Sequence, residues 1–303
     1  MSWMILTLVS ALMLGLYDVA KKVSVRGNAV PMVLLVSVSV SAAIWTVMLL
    51  VQTFLPSIAV PKLLVVESIS GKGHLALAGK SLLVGASWVL AFYSLKVLPL
   101  SIAAPIRATS PLWTLFIAIV FLAERPAPLQ WLGIAIVLGS FWALSLVGAK
   151  EGIRFRTDRA VWWMIAATIL GAFSAIYDKL LLQEFGFSPA TVQAWFSVYL
   201  VPVMTPLAVR WYLEQKRDDP AKIVQFEMRA SIVWISPLLL AADMAYFSAL
   251  ADPDALISIV SPLRRASVVV ALIFGSRMSG EINLKRKAAC VLGILTGIIL
   301  LML

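Results

Sequence analysis

Cysteine, histidine and charge are all scarce in this sequence, and each scarcity excludes something. Cys290 is the single cysteine, so no disulfide joins two parts of the chain. His74 is the single histidine, which removes histidine-built metal sites, and no metal site is expected. Only 13% of residues are charged, about half of the roughly one quarter that a water-soluble globule carries. No stretch reads Gly-x-x-x-x-Gly-Lys-Ser/Thr, so direct drive by a nucleotide is not expected, and no cofactor is implied. No lysine or arginine precedes Lys21. A secretory leader needs a basic start and a small-residue cleavage site, so the first apolar run is read as a retained span.

What is present is apolar. Of 303 residues, 61% are hydrophobic. Crossing a bilayer takes about 20 apolar residues per helix, so ten helices consume about 200 residues and leave only loops. Apolar runs bounded by charges, proline or glycine fall at 3–23, 29–54, 75–97, 101–123, 129–148, 160–182, 189–212, 230–250, 254–275 and 286–303. The expected fold class is an all-α membrane protein of ten transmembrane helices. The longest loops are 55–74, 149–159 and 213–229, and the last is the most polar. The net charge of +10 would suggest nucleic acid as partner of a soluble protein. In a membrane protein basic loops fix the orientation, so the lipid bilayer is the expected partner, without nucleic acid.

The chain repeats itself. Ala104-Pro105-Ile106-Arg107 matches Ser261-Pro262-Leu263-Arg264, and each is followed by an apolar run that ends in an acid, Glu124 or Glu281. These pairs share an offset of 157 residues, while Ala91-Phe92-Tyr93-Ser94 and Ala245-Tyr246-Phe247-Ser248 differ by 154, and Tyr17-Asp18 and Tyr177-Asp178 by 160. The common order points to two five-helix repeats, 1–150 and 158–303. Because five is odd, the two halves insert with opposite topology, an inverted repeat with the substrate near the midplane between them.

Loop charges suggest the orientation. Loops after odd-numbered spans hold Arg26, Lys96, Lys150, Arg154, Arg156, Arg159, Arg210, Lys216, Arg217, Lys222, Arg229, Arg277, Lys285, Arg286 and Lys287. Loops after even-numbered spans hold Lys62, Lys72, Lys80 and Arg125. The positive-inside rule puts the first group in the cytoplasm and both termini outside an inner membrane.

Ionisable residues within spans mark function by default. Asp18 shares a helix face with Lys21 and Lys22, where snorkelling to the headgroups is the competing explanation. Asp178 and Lys179 stand in the same relation to the sixth span. Arg107 and Arg264 lie well inside long apolar runs. With Asp243 and Arg265, these groups make six positive and three negative charges. A buried positive surplus needs an anion, and arginine's planar fork suits phosphate or carboxylate. Arginines neutralised by Asp18, Asp178 or Asp243 are the structural alternative. Pro105 and Pro262 precede the arginines and read as hinges or helix breaks, against the alternative of static kinks. Asp243 is a candidate charge partner or proton carrier. Among the aromatics, Tyr177 and Tyr246 neighbour intramembrane charges and are candidate lining groups; Trp88, Tyr93 and Trp113 serve equally as packing or interfacial anchors.

Together these features resemble the drug/metabolite transporter superfamily, in its ten-helix EamA-like branch, over essentially the whole chain. Ile106-Arg107-Ala108-Thr109-Ser110-Pro111 is similar to the Ile-Lys-Ala-x-x-Pro segment of plastid sugar-phosphate translocators. Leu263-Arg264-Arg265-Ala266-Ser267-Val268-Val269-Val270 resembles their Lys-Arg-Val-Val-Val segment. The resemblance implies that Arg107, Arg264 and Arg265 grip a substrate phosphate. Arginine replaces lysine at two positions and the rest of the pocket has no match, which leaves the organic moiety open.

The expectation is a secondary-active transporter, not an enzyme, that moves a small and preferably phosphorylated organic anion by alternating access, as a monomer or homodimer. Its binding residues would be Arg107, Arg264, Arg265, Lys21, Lys179, Tyr177 and Tyr246. The competing readings are a proton-coupled exporter of amino acids or amphipathic drugs, and an enzyme acting on a lipid phosphate.

Overall fold

The computed structural model describes residues 2–55, 60–97, 106, 110–121, 123, 125–148, 158–217, 224–267, 270 and 284–302. The described residues form the α-helices α1 (Ser2–Val25), α2 (Val30–Phe54), α3 (Gly71–Val97), α4 (Ser110–Phe121), α5 (Pro128–Gly148), α6 (Arg159–Lys179), α7 (Pro189–Arg217), α8 (Ala230–Leu250), α9 (Ile257–Arg264) and α10 (Leu284–Met302). Among the described residues, six stretches are long and apolar enough to cross a membrane: Trp3–Val25, Val30–Phe54, Gly71–Ser94, Arg159–Glu184, Pro189–Arg217 and Ala230–Leu250. The chain is a multi-pass membrane protein. No strand occurs among the described residues, as expected where every backbone polar group must be satisfied inside lipid.

Local chemistry sets the helix ends. Gly27, at φ 63°, closes α1 in the left-handed conformation that glycine adopts without strain. Pro31 lies in the first turn of α2, where no amide partner is lost. The Asp158 side chain caps α6 by accepting from the Ala160 amide at 2.9 Å. After Lys179 the ladder widens into a π turn, Leu180–Glu184, and Gly186, at φ 68°, ends it.

The main helix contacts run between the halves of the sequence: α1 packs on α8, α3 on α6, α2 on α7, α4 on α9 and α5 on α10. In lipid the hydrophobic effect does not drive helices together, so close packing and interhelical hydrogen bonds must. Ser10 donates to the Ala242 carbonyl at 2.6 Å and Ser24 bonds Ser231 at 2.7 Å across α1–α8. Ser87 and Ser94 donate to the Ala167 and Ala160 carbonyls at 2.8 and 2.7 Å across α3–α6. Glycine provides close approach: a Cβ on Gly85 would stand 2.4 Å from Val203, and one on Gly297 would stand 2.6 Å from Val137 and 2.9 Å from the Gly133 carbonyl.

Hydrogen bonds between connections define two faces. Asn28, in the α1–α2 turn, donates to the Glu227 carbonyl at 2.7 Å and accepts from its amide at 2.9 Å, and Arg229 donates to the Arg26 carbonyl at 2.7 Å. The α1–α2 turn and the α7–α8 loop therefore share a face, called here the α1–α2 face. The Glu67 amide, before α3, donates to Thr191 at the start of α7 at 2.9 Å. Gln183, after α6, donates to the Leu250 and Asp252 carbonyls at 2.9 and 2.7 Å. These connections form the α2–α3 face. Consequently α1 runs toward the α1–α2 face and α6 away from it.

Several expectations need correction. Lys80 is not a loop charge: it lies inside α3, 2% exposed. It therefore drops out of the orientation count and joins the intramembrane charges. His74 is not outside the spans, because α3 starts at Gly71 rather than residue 75, and the histidine packs within it against α7. The polar loop begins after Arg217, since the helix α7 continues past Tyr212 to Arg217. Asp178 and Lys179, for which snorkelling was the competing explanation, are buried in the bundle at 5% and 9% exposed.

Candidate functional site

A narrow cavity of about 20 Å³, room for about one water, lies among α1, α2, α3, α7 and α8. Tyr17 and Lys21 from α1 line it, with Ser37 and Ser41 from α2 and Trp88 and Phe92 from α3. The other half of the sequence contributes Gln193, Phe196 and Ser197 from α7, and Ser236 and Asp243 from α8. Lys21 is four residues, about 6 Å, from the end of α1. Its ammonium lies 4.5 Å from the Phe92 ring centroid and 5.4 Å from that of Tyr17. Such cation–π contact holds a positive charge in an apolar wall. Gln193 is fixed by a 2.6 Å bond to the Leu240 carbonyl.

Asp243 connects the cavity to a second layer of charge. Its carboxylate accepts from Arg264, the last residue of α9. The Arg264 guanidinium lies 4.1 Å from the Tyr246 ring centroid, and its Nε is buried without a hydrogen-bond partner among the described residues. A helix C-terminus favours a cation there. Pro262 lies inside α9, which stops two residues later; the Arg265 and Ala266 amides then make three-residue turns to the Pro262 and Leu263 carbonyls, both at 3.0 Å. Arg265 donates to Ser110, at the start of α4, at 2.9 Å. Adjacent arginines thus reach different helices, as their separation of about 100° around a helix requires.

A second ion pair lies closer to the α2–α3 face. Lys80 on α3 donates to Asp178 on α6, and both side chains are buried. The Lys80 ammonium lies over the Phe196 ring at 4.3 Å and near that of Phe247 at 5.1 Å. Asp178 is within electrostatic reach of Asp243 and Arg264. The two pairs flank consecutive rings of α8, Arg264 lying over Tyr246 and Lys80 near Phe247. Beside it, the Tyr177 hydroxyl donates to the Ala76 carbonyl at 3.1 Å.

The structure brings together part of the expected set. Lys21 and Asp243 line the cavity; Arg264 and Tyr246 stand behind Asp243. Tyr177 and Lys179 lie on α6, which contributes no wall to this cavity. Asp18 is half-buried on α1. Trp88 is a cavity wall, while Tyr93 and Trp113 are exposed. Pro105, Arg107, Glu124 and Glu281 lie outside the described residues, as does the Lys22 side chain. Sequence reading missed Lys80, Phe92, Gln193 and Phe196. Lys80 was legible as a lysine within the run Leu75–Val84. The others are ordinary span residues until the helices are placed.

The described helices form an apolar bundle with a cavity walled from both halves of the chain. Residues 1–146, just under half of the chain, match the EamA-like transporter family. The chain is 28% identical over 208 residues to "Solute carrier family 35 member E4" of Homo sapiens, a match covering 66% of this chain and 56% of the human protein. It thus spans a little over half the length of that relative. A solved crystal structure superposes with a TM-score of 0.71 at 13% identity, covering 99% of this chain and 96% of the other, which shows a shared fold.

Proposed function

We propose that this protein is a secondary-active transporter that moves a small organic anion by alternating access. The observation that carries the reading is the cavity between the halves with Lys21 as a cation in its wall. Lys21 receives the anionic end of the substrate. Gln193 and Ser37, Ser41, Ser197 and Ser236 meet polar groups along it, and Trp88, Phe92 and Phe196 cover its apolar part. A few polar groups on a largely apolar wall suit binding that must also be reversible.

Ten spans in two inverted repeats, 1–150 and 158–303, remain our reading of the architecture. Exchanging α1 with α6, α2 with α7, α3 with α8, α4 with α9 and α5 with α10 maps the main helix contacts onto themselves, which supports it. The opposite directions of α1 and α6 support it as well. Arg107, Arg264 and Arg265 are proposed as further anion contacts once Arg264 leaves Asp243, with Pro105 and Pro262 as hinges. Termini outside an inner membrane remain the proposed orientation, from the loop charges with Lys80 removed.

One observation favours the competing reading of a proton-coupled exporter: Asp243 lines the same cavity, placed to carry a proton while Arg264 moves between it and the substrate. A thermal-shift screen of the purified protein separates the readings. Stabilisation by inorganic phosphate, phosphoenolpyruvate or triose phosphate supports the anion transporter. Stabilisation by neutral amino acids alone supports the exporter.

A further inference from the structure

We propose that the Lys80–Asp178 ion pair is the gate that closes the cavity toward the α2–α3 face. This gate rests on the alternating-access reading, but not on the identity of the substrate.

The placement carries the inference. Along α1 the cavity comes within about 6 Å of the α1–α2 face at Lys21, and along α3 within about 8 Å of it at Phe92. Lys80 is 17 residues, about 26 Å, from that end of α3. On α3 the pair therefore lies beyond the cavity residues Trp88 and Phe92, while Gln193 and Asp243 carry the cavity to the pair's own depth on α7 and α8. Phe196 is cavity wall on one side and rests on the Lys80 ammonium on the other, and Ser81 donates to the Phe196 carbonyl at 3.2 Å. The Phe196 ring thus separates the cavity from the Lys80–Asp178 pair, and a path along α3 toward the α2–α3 face passes both.

Other contacts hold the same end shut. His74 on α3 bonds the Tyr199 hydroxyl on α7 at 2.8 Å and meets the Trp195 ring edge-on at 4.5 Å. Tyr177 and Gln183 bond across to α3 and to the end of α8. The pair differs from these neighbours in kind. Two opposite charges kept dry neutralise each other only while in contact, and separating them without water is prohibitive. Opening this face therefore requires water to reach both, which makes the closed and open arrangements two discrete states.

The test uses thiol accessibility in a Cys290→Ser background. Ser81→Cys reports water at the gate, while Lys72→Cys and Arg26→Cys mark the α2–α3 and α1–α2 faces in right-side-out and inside-out vesicles. A membrane-impermeant methanethiosulfonate is the probe, with no substrate added. Asp178→Asn and Lys80→Met each raise the labelling rate of Ser81→Cys about tenfold, a decade in the gate equilibrium, and only from the face that labels Lys72→Cys. The exchange Lys80→Asp with Asp178→Lys restores slow labelling. Unchanged labelling in both single variants, an equal rise from both faces, or no recovery in the exchange overturns the gate. Labelling as expected in a protein that moves no anion keeps the gate and removes the substrate reading, so the two failures are distinguishable.

Discussion

Asp243 lines the cavity and its carboxylate accepts from Arg264, while the Arg264 guanidinium rests on the ring of Tyr246. A substrate anion that draws Arg264 away must leave Asp243 uncompensated, so anion binding and the state of Asp243 are linked.

Asp243→Asn should destabilise the protein by about 3 kcal/mol, the low end for breaking a buried pair, because both side chains keep some exposure. Thermal unfolding in detergent measures it. An apparent midpoint equal to wild type would show that the pair contributes nothing to the resting fold.

Gly297→Ala should destabilise by about 1–3 kcal/mol. The added Cβ meets Val137 and backbone atoms of α5 at 2.6–2.9 Å, and backbone cannot move aside as a side chain tip does. Gly139→Ala, also on α5, has nothing within 4 Å of its new Cβ and should be neutral or stabilising. Parallel thermal unfolding of the two variants checks the contrast, and equal effects would contradict the α5–α10 packing.

Asn28→Ala removes the bonds to both backbone groups of Glu227 and to the Ala29 amide. At about 1 kcal/mol each, the loss should appear as faster amide exchange at residues 224–229 with little change in α2. Unchanged exchange would show that Arg229 alone ties this loop to the α1–α2 turn.

Arg107→Ala and Arg264→Lys should each reduce anion uptake about tenfold or more while the protein is recovered at wild-type yield. The second variant keeps the charge and loses the planar fork. Full uptake of phosphate by both variants would remove these arginines from the site.

The helices were legible in the sequence because long apolar runs leave few alternatives in a bilayer. Their ends differ where polar residues continue a helix beyond its apolar run, as at Leu213–Arg217, or where glycine and histidine open one, as at Gly71–His74. The charges within spans were also legible, and Lys21, Asp243, Arg264 and Tyr246 converge. Which charge pairs with which was not, since Lys80 and Asp178 are 98 residues apart and meet only through the packing of α3 on α6. Phe196 and Gln193 carry no distinguishing pattern, because a cavity wall is defined by the helices opposite it.

The central claim is that the cavity at Lys21 is the route of a small anion. Counterflow into liposomes loaded with inorganic phosphate, with radiolabelled phosphate and then triose phosphate outside, tests it directly on the wild type and on Lys21→Ala. Uptake should depend on the protein, on internal anion and on Lys21, with the variant folded but inactive. No anion uptake under any loading, or equal uptake by Lys21→Ala, would contradict it.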